Sequence, residues 1–234
     1  MKLVSLFKTS VAALALCAMA QVAQAQHGHL EVGAAGQNQN DKLIWQNGAA
    51  FASDSGYVKE LLASDPAGRY AGYYDGGITV VANPTAEEGA ALGAFIRALV
   101  VSVEGPAGGS FGFWENPEEG GSTTPTFIVP SGTSNGTFGF DLSDASAGAG
   151  LPGKDAAGHL HGRRFTVNLP GEYIVGFKAV DTSKNGVGGG AIHADSDILY
   201  IKFATVPEPG TIALGVLGVA SFWLLRGRRS ASQR

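Results

Sequence analysis

The chain has 234 residues, of which 44% are hydrophobic and 35 are glycine, and its formal net charge is −4. This hydrophobic fraction is too high for a disordered segment, so the composition predicts a globular protein rich in loops. All 20 acidic residues but only ten of the 16 basic ones lie between Gln26 and Glu208, which gives that stretch a net charge of −10. It has no basic stripe, which excludes a nucleic-acid-binding protein and leaves cations, neutral glycans or other proteins as partners.

The first 25 residues have the three parts of a secretory signal peptide. Lys2 and Lys8 form a basic region, the segment 11–20 is apolar, and Ala23 and Ala25 flank an A-x-A cleavage site. We therefore expect residues 1–25 to direct the chain to the Sec export machinery and to be removed during export. The single cysteine of the chain lies inside this segment, so the mature protein has no thiol for a disulfide or for thiolate chemistry.

The first half of the body, residues 26–205, has the pattern of short strands with one or two short helices. Tyr57, Val58, Leu61 and Leu62 are spaced as on one face of a helix, which predicts a short helix over 55–62. A capping-box pattern at 85–88 predicts one further helical turn. Extended segments are predicted at 29–32, 42–45, 78–82 and 96–104.

The second half of the body has six predicted strands in about a hundred residues, separated by clusters of glycine, proline, serine and asparagine. Apolar and polar residues alternate along them, and the turn 169–172 with Pro170 and Gly171 predicts a hairpin. We therefore predict an all-β fold, an antiparallel β-sandwich of the jelly-roll or immunoglobulin-like type. The six strands are expected at 111–115, 126–129, 137–142, 161–168, 172–181 and 197–204.

All five histidines lie in the body, and four of them form two His-x-His pairs. Residues two apart on a strand point to the same face, so each pair has chelating geometry. Two pairs on neighbouring strands would suit a divalent zinc, copper or manganese ion, whereas solvated loop histidines are the alternative reading. The candidate ligands are His27, His29, His159, His161 and His193, with Asp195 or Asp197 as a further carboxylate.

Motifs of known enzyme classes are missing from the sequence, which has no G-x-S-x-G, no H-E-x-x-H and no phosphate loop. We therefore predict that the protein is not an enzyme. A copper-dependent glycan-oxidising domain would need histidine as its first mature residue, whereas cleavage after Ala25 leaves Gln26 there. A glycan-binding domain is a further alternative. Its stacking surfaces would be Trp45, Trp114, Tyr70, Tyr73 and Tyr74.

The C-terminal segment 206–234 combines a proline-rich motif, an uncharged run and a basic cluster. The uncharged run 210–225 has 16 residues, slightly fewer than the ~17–25 that span a bilayer comfortably, and predicts a transmembrane helix with little tilt. The positive-inside bias keeps the arginines cytoplasmic and the body outside. An ordinary single-pass anchor is the alternative. The motif is Pro207, Glu208 and Pro209, the interface residue is Trp223, and the basic cluster is Arg226, Arg228 and Arg229.

A Pro-Glu-Pro motif, an apolar helix and terminal arginines in this order resemble the PEP-CTERM sorting signal of Gram-negative bacteria. The resemblance implies processing by a membrane-embedded exosortase. It thus predicts an exported protein of the cell surface or extracellular matrix, with an inner-membrane intermediate. Its role would be structural or interactive, and exopolysaccharide is an additional partner.

The body is similar in short motifs to bacterial surface-anchored domains of the choice-of-anchor M kind. The motifs are the segment 28–33, Phe113-Trp114-Glu115, and His159 and His161 ahead of Phe165 and Pro170-Gly171-Glu172-Tyr173. That family is associated with surface display and in some lineages with metal transport. The similarity implies a metal-ligand role for these histidines, although the acidic and histidine-rich run usual after the first strand is replaced here by 36–40.

Overall fold

The structure is a computed structural model that describes residues 28–83, 88–115, 124–157 and 163–206. Several predicted features lie outside these residues. Within the described ranges, no helix is long and apolar enough to cross a membrane. The features outside are the signal peptide with Ala23 and Ala25, most of the turn 85–88, His27, the pair His159 and His161, and the sorting tail from Pro207.

The regular secondary structure of the described part consists of strands and three short 3-10 turns. The turns are Gly48–Ala50, Ala145–Ala147 and Val187–Gly189. The strands are β1 (Leu30–Ala34), β2 (Leu43–Trp45), β3 (Lys59–Ala63), β4 (Tyr74–Gly76), β5 (Val80–Ala82), β6 (Ile96–Glu104), β7 (Ser110–Trp114), β8 (Phe127–Pro130), β9 (Thr133–Asp141), β10 (Arg164–Val167), β11 (Glu172–Asp181) and β12 (Leu199–Val206).

The strands form a large sheet of nine, in the order β8-β7-β10-β4-β3-β12-β11-β6-β9, and a small sheet of three, in the order β2-β1-β5. The all-β prediction is confirmed, but the purely antiparallel sandwich is wrong. Strand β12 is parallel to β3 and β1 is parallel to β5, and the large sheet curls into a nearly closed barrel. Its two edge strands, β8 and β9, follow each other in the chain, and the stacked rings of Phe127 and Phe138 join them at 5.6 Å.

Phenylalanine rings fill the inside of this barrel. The ring of Phe165 lies at the centre, with five other phenylalanine rings at centroid distances of 5.3–5.9 Å. Such contacts add to the free energy of apolar burial. The buried phenylalanines on strands of the large sheet, each at most 9% exposed, are Phe111, Phe113, Phe127, Phe140, Phe165, Phe177 and Phe203.

The helix predicted over 55–62 is replaced by turns and the strand β3. Leu61 is fully buried, whereas Leu62 is 58% exposed, which is the alternation of a strand and not of a helix. Pairing of β3 with β12 and β4 satisfies its backbone on both sides and overrides the local helical spacing.

The hairpin predicted at 169–172 is also wrong. The turn joins β10 to β11, but β10 pairs with β4 and β7 whereas β11 pairs with β6 and β12. Gly171 has a φ of 144°, and it exchanges hydrogen bonds with Thr205 of β12. The glycine therefore lets the chain leave one strand pair and enter another instead of reversing in place.

The central position of Phe165 predicts a large loss of stability on truncation. Phe165→Ala should lower the free energy of unfolding by about 3–5 kcal/mol, because the substitution leaves a cavity among five rings. The matched control is Phe138→Ala, whose ring is 50% exposed and which should cost about 1 kcal/mol. Denaturant unfolding of both variants measures the difference, and equal losses would refute the packed aromatic interior.

Candidate functional site

Two of the five candidate histidines, His29 and His193, belong to the described residues. His29 is exposed just before β1, and its carbonyl accepts a hydrogen bond from Asn47 Nδ2 at 2.6 Å. No three His, Cys, Asp or Glu side chains within the described part are grouped so as to hold a metal ion. The metal hypothesis therefore depends on side chains outside it.

His193 has a structural role instead of the predicted ligand role. It is 3% exposed in the loop between β11 and β12, and its Nε2 accepts the Ala91 backbone N–H at 2.8 Å. Because Nε2 accepts, the ring proton resides on Nδ1, which donates to the Asp41 carbonyl at 2.9 Å. Both ring nitrogens are thus occupied, and in this conformation neither has a lone pair for a metal ion.

Asp181, the last residue of β11, holds the loop that contains His193. Its Oδ1 accepts the backbone N–H groups of Phe95 and Ser183 at 3.0 and 2.8 Å. Its Oδ2 accepts those of Ile192 and His193 at 2.8 and 3.1 Å. Burial alone raises the pKa of this carboxyl, but the N–H donors stabilise the charged form more, so the pKa lies below its ordinary value.

The two aspartates predicted as further metal ligands are paired with lysines. Asp195 binds Lys178 at 2.6 Å, and Asp197 binds Lys42 at 2.5 Å. Both carboxylates are well exposed, and exposed pairs of this kind contribute at most about 1 kcal/mol to stability. Their immediate partner is a lysine in each case, not an imidazole.

Four of the five aromatic residues of the glycan hypothesis are packed against other side chains, and the fifth, Trp45, lies elsewhere. Trp114 is 1% exposed, and its Nε1 donates to Thr166 Oγ1 at 2.9 Å. The rings of Tyr70 and Tyr73 contact Trp114 edge-on, at 4.9 and 5.8 Å, and Tyr74 packs against the core. These residues therefore form a packed cluster and not a flat exposed row.

Trp45 lies apart from that cluster, in a surface groove of about 290 Å³. Its indole Nε1 donates to the Asp197 carbonyl at 3.2 Å, which fixes the ring against the segment that leads into β12. The ion pair of Lys42 and Asp197 lies beside it. The residues that line the groove are Leu43, Ile44, Trp45, Gly48, Ala49, Asp197, Ile198 and Leu199.

Comparison with known proteins assigns no family to this arrangement. No protein family, no curated protein and no solved structure matches the chain. The function is therefore inferred from the residues and from their geometry.

The hydrogen bonds of Asp181 predict how stability depends on pH. Because the folded-state pKa lies below the ordinary value of 3.8, the stabilisation is complete above that value and is lost as the pH falls through the folded pKa. Asp181→Asn should cost about 2–3 kcal/mol at pH 7, because an amide nitrogen then faces backbone N–H donors. The difference in unfolding free energy between this variant and the wild type should become smaller as the pH falls.

Asp195→Asn is the matched control for that experiment. It removes an exposed carboxylate from the same region and should cost less than about 1 kcal/mol. Denaturant unfolding from pH 7 to pH 3 gives both profiles. A difference between Asp181→Asn and the wild type that stays constant across this range would contradict the role of the ionised carboxylate.

The metal hypothesis now concerns His27, His29, His159 and His161. If they form a site, zinc should raise the melting temperature, by the equivalent of about 2.7 kcal/mol at a hundredfold excess over the dissociation constant. The double variant His159→Ala, His161→Ala should abolish the rise, whereas Asp195→Asn should retain it. An equal rise in the double variant, or no rise in the wild type, would contradict the metal hypothesis and favour the alternative that these histidines are solvated in loops.

Proposed function

We propose that the chain is an exported, non-catalytic protein of the cell surface or extracellular matrix, sorted by an exosortase through its Pro-Glu-Pro tail. The Sec machinery would export it, and the membrane would hold it until processing. The observation that supports the proposal best is the position at which strand β12 ends. Strand β12 ends at Val206, and the motif begins at the next residue, Pro207.

The end of β12 is held firmly, which suits the presentation of a processing motif. Val206 is opposite Leu62 in the ladder with β3, and the backbone of Thr205 donates to the Gly171 carbonyl at 3.0 Å. Proline has no N–H to donate to a ladder, so pairing cannot continue regularly through Pro207. A motif that directly follows a fixed strand would be within reach of a membrane-embedded enzyme.

A non-catalytic role is supported by the use of the buried polar groups. The carboxylate of Asp181 and the imidazole of His193 are the kinds of group that general acid-base catalysis requires. Both are buried, and backbone hydrogen bonds occupy both. The domain is thus better suited to display a surface than to carry out a reaction.

The sorting proposal predicts the mass of the mature protein. When the full chain is produced in a host with an exosortase, intact-mass spectrometry of released surface material should show loss of residues 1–25 and of 211–234. The double variant Glu208→Ala, Pro209→Ala should instead accumulate as a membrane-bound precursor, because the recognised motif is gone.

Val187→Ser is the control for this experiment, since it changes an 81% exposed loop residue without touching the tail. It should be processed like the wild type. Released protein that retains the whole tail would contradict the proposal, as would normal processing of the motif variant.

A further inference from the structure

The Trp45 groove exposes both polar and apolar atoms around a fixed indole. It lies between β2, an edge strand of the small sheet, and the segment that leads into β12. Ile44 is 36% exposed and Ile198 is 42% exposed, so apolar side chains on both walls meet solvent. The hydrogen bond from Trp45 Nε1 to the Asp197 carbonyl holds the ring.

The local packing at the groove requires a glycine beside the Cβ atom of Trp45. A Cβ atom at Gly48 would lie 2.7 Å from the Cβ atom of Trp45, which is closer than side chains tolerate. Any larger residue would push the tryptophan or the turn Gly48–Ala50 out of place. The groove therefore depends on a specific local packing and not on a chance gap between loops.

The charges at the groove balance each other. The ammonium of Lys42 and the carboxylate of Asp197 are 2.5 Å apart, and their side chains are 44% and 88% exposed. Together they offer hydrogen-bond donors and acceptors but no net charge. A charged ligand would have to break this pair, whereas a neutral ligand with hydroxyl groups can bind beside it.

We propose that this groove binds one neutral sugar ring. A pyranose has an apolar C–H face, which suits an indole and aliphatic walls, and a rim of hydroxyls, which suits a charged pair of both signs. The volume of about 290 Å³ is at the lower limit of ligand pockets, ~300–1,000 Å³, so it accommodates one ring and not a long segment. This proposal does not depend on how the chain is sorted.

Ligand-observed NMR on the full chain, purified in a detergent without a sugar headgroup, tests the proposal. The probes are methyl glucoside and methyl galactoside, with charged glucuronate and open-chain sorbitol for comparison. At least one neutral pyranoside should show saturable binding in the millimolar range, about −4 kcal/mol. Sorbitol should not bind, because it has no ring face to stack, and glucuronate should bind more weakly than the neutral ring.

Substitutions at Trp45 locate the binding. Trp45→Ala should weaken it at least tenfold, because the stacking surface is gone. Trp45→Phe should weaken it less, since a ring remains although the hydrogen bond to Asp197 is lost. Val187→Ser, on a loop that does not line the groove, should bind like the wild type. Unchanged binding in Trp45→Ala, tighter binding of glucuronate, or no saturation by either pyranoside up to about 50 mM would overturn the proposal.

Discussion

The buried carboxylate of Asp181 is the junction on which the arrangement of the two sheets depends. It ends β11 and accepts the N–H of Phe95, directly before β6, and those of Ile192 and His193 in the loop ahead of β12. His193 then bonds to Asp41 and Ala91, which lie in loops next to strands of the small sheet. The backbone N–H groups compensate the cost of burying the charged carboxylate of Asp181. This carboxylate therefore connects the large sheet to the small sheet without a paired cation and without a disulfide.

The strands were predictable where the local pattern is long and regular. The bounds predicted for β6 and β11, 96–104 and 172–181, are those observed, because each is a long segment rich in apolar and β-branched residues between clusters of turn-forming residues. Barrel and sandwich cannot be told apart in this way. The choice depends on which strands pair at long range, such as β3 between β4 and β12, and local periodicity carries no information on that pairing.

The candidate sites were harder to predict because they are formed by loops that are far apart in the sequence and come together only in the fold. The sequence marks His193 as a candidate metal ligand, but nothing in it shows that the backbone of Ala91 and that of Asp41 reach both nitrogens of the ring. Only the local bond from Ser183 to Asp181 has a sequence signature, an Asx-turn. Trp45 and Trp114 likewise look alike in sequence, and burial alone separates them.

The two proposals are related by the direction of β12. Asp197 and Ile198 of the groove directly precede the strand, which ends at Val206, and the sorting motif starts at the next residue. Its eight residues, at about 3.3 Å each, separate the two by roughly 26 Å along the sheet. In a protein held at a membrane by its tail, the groove and the anchor would thus lie at opposite ends of β12. Removal of the tail would leave the groove unchanged, because no residue that lines it belongs to the last seven of β12.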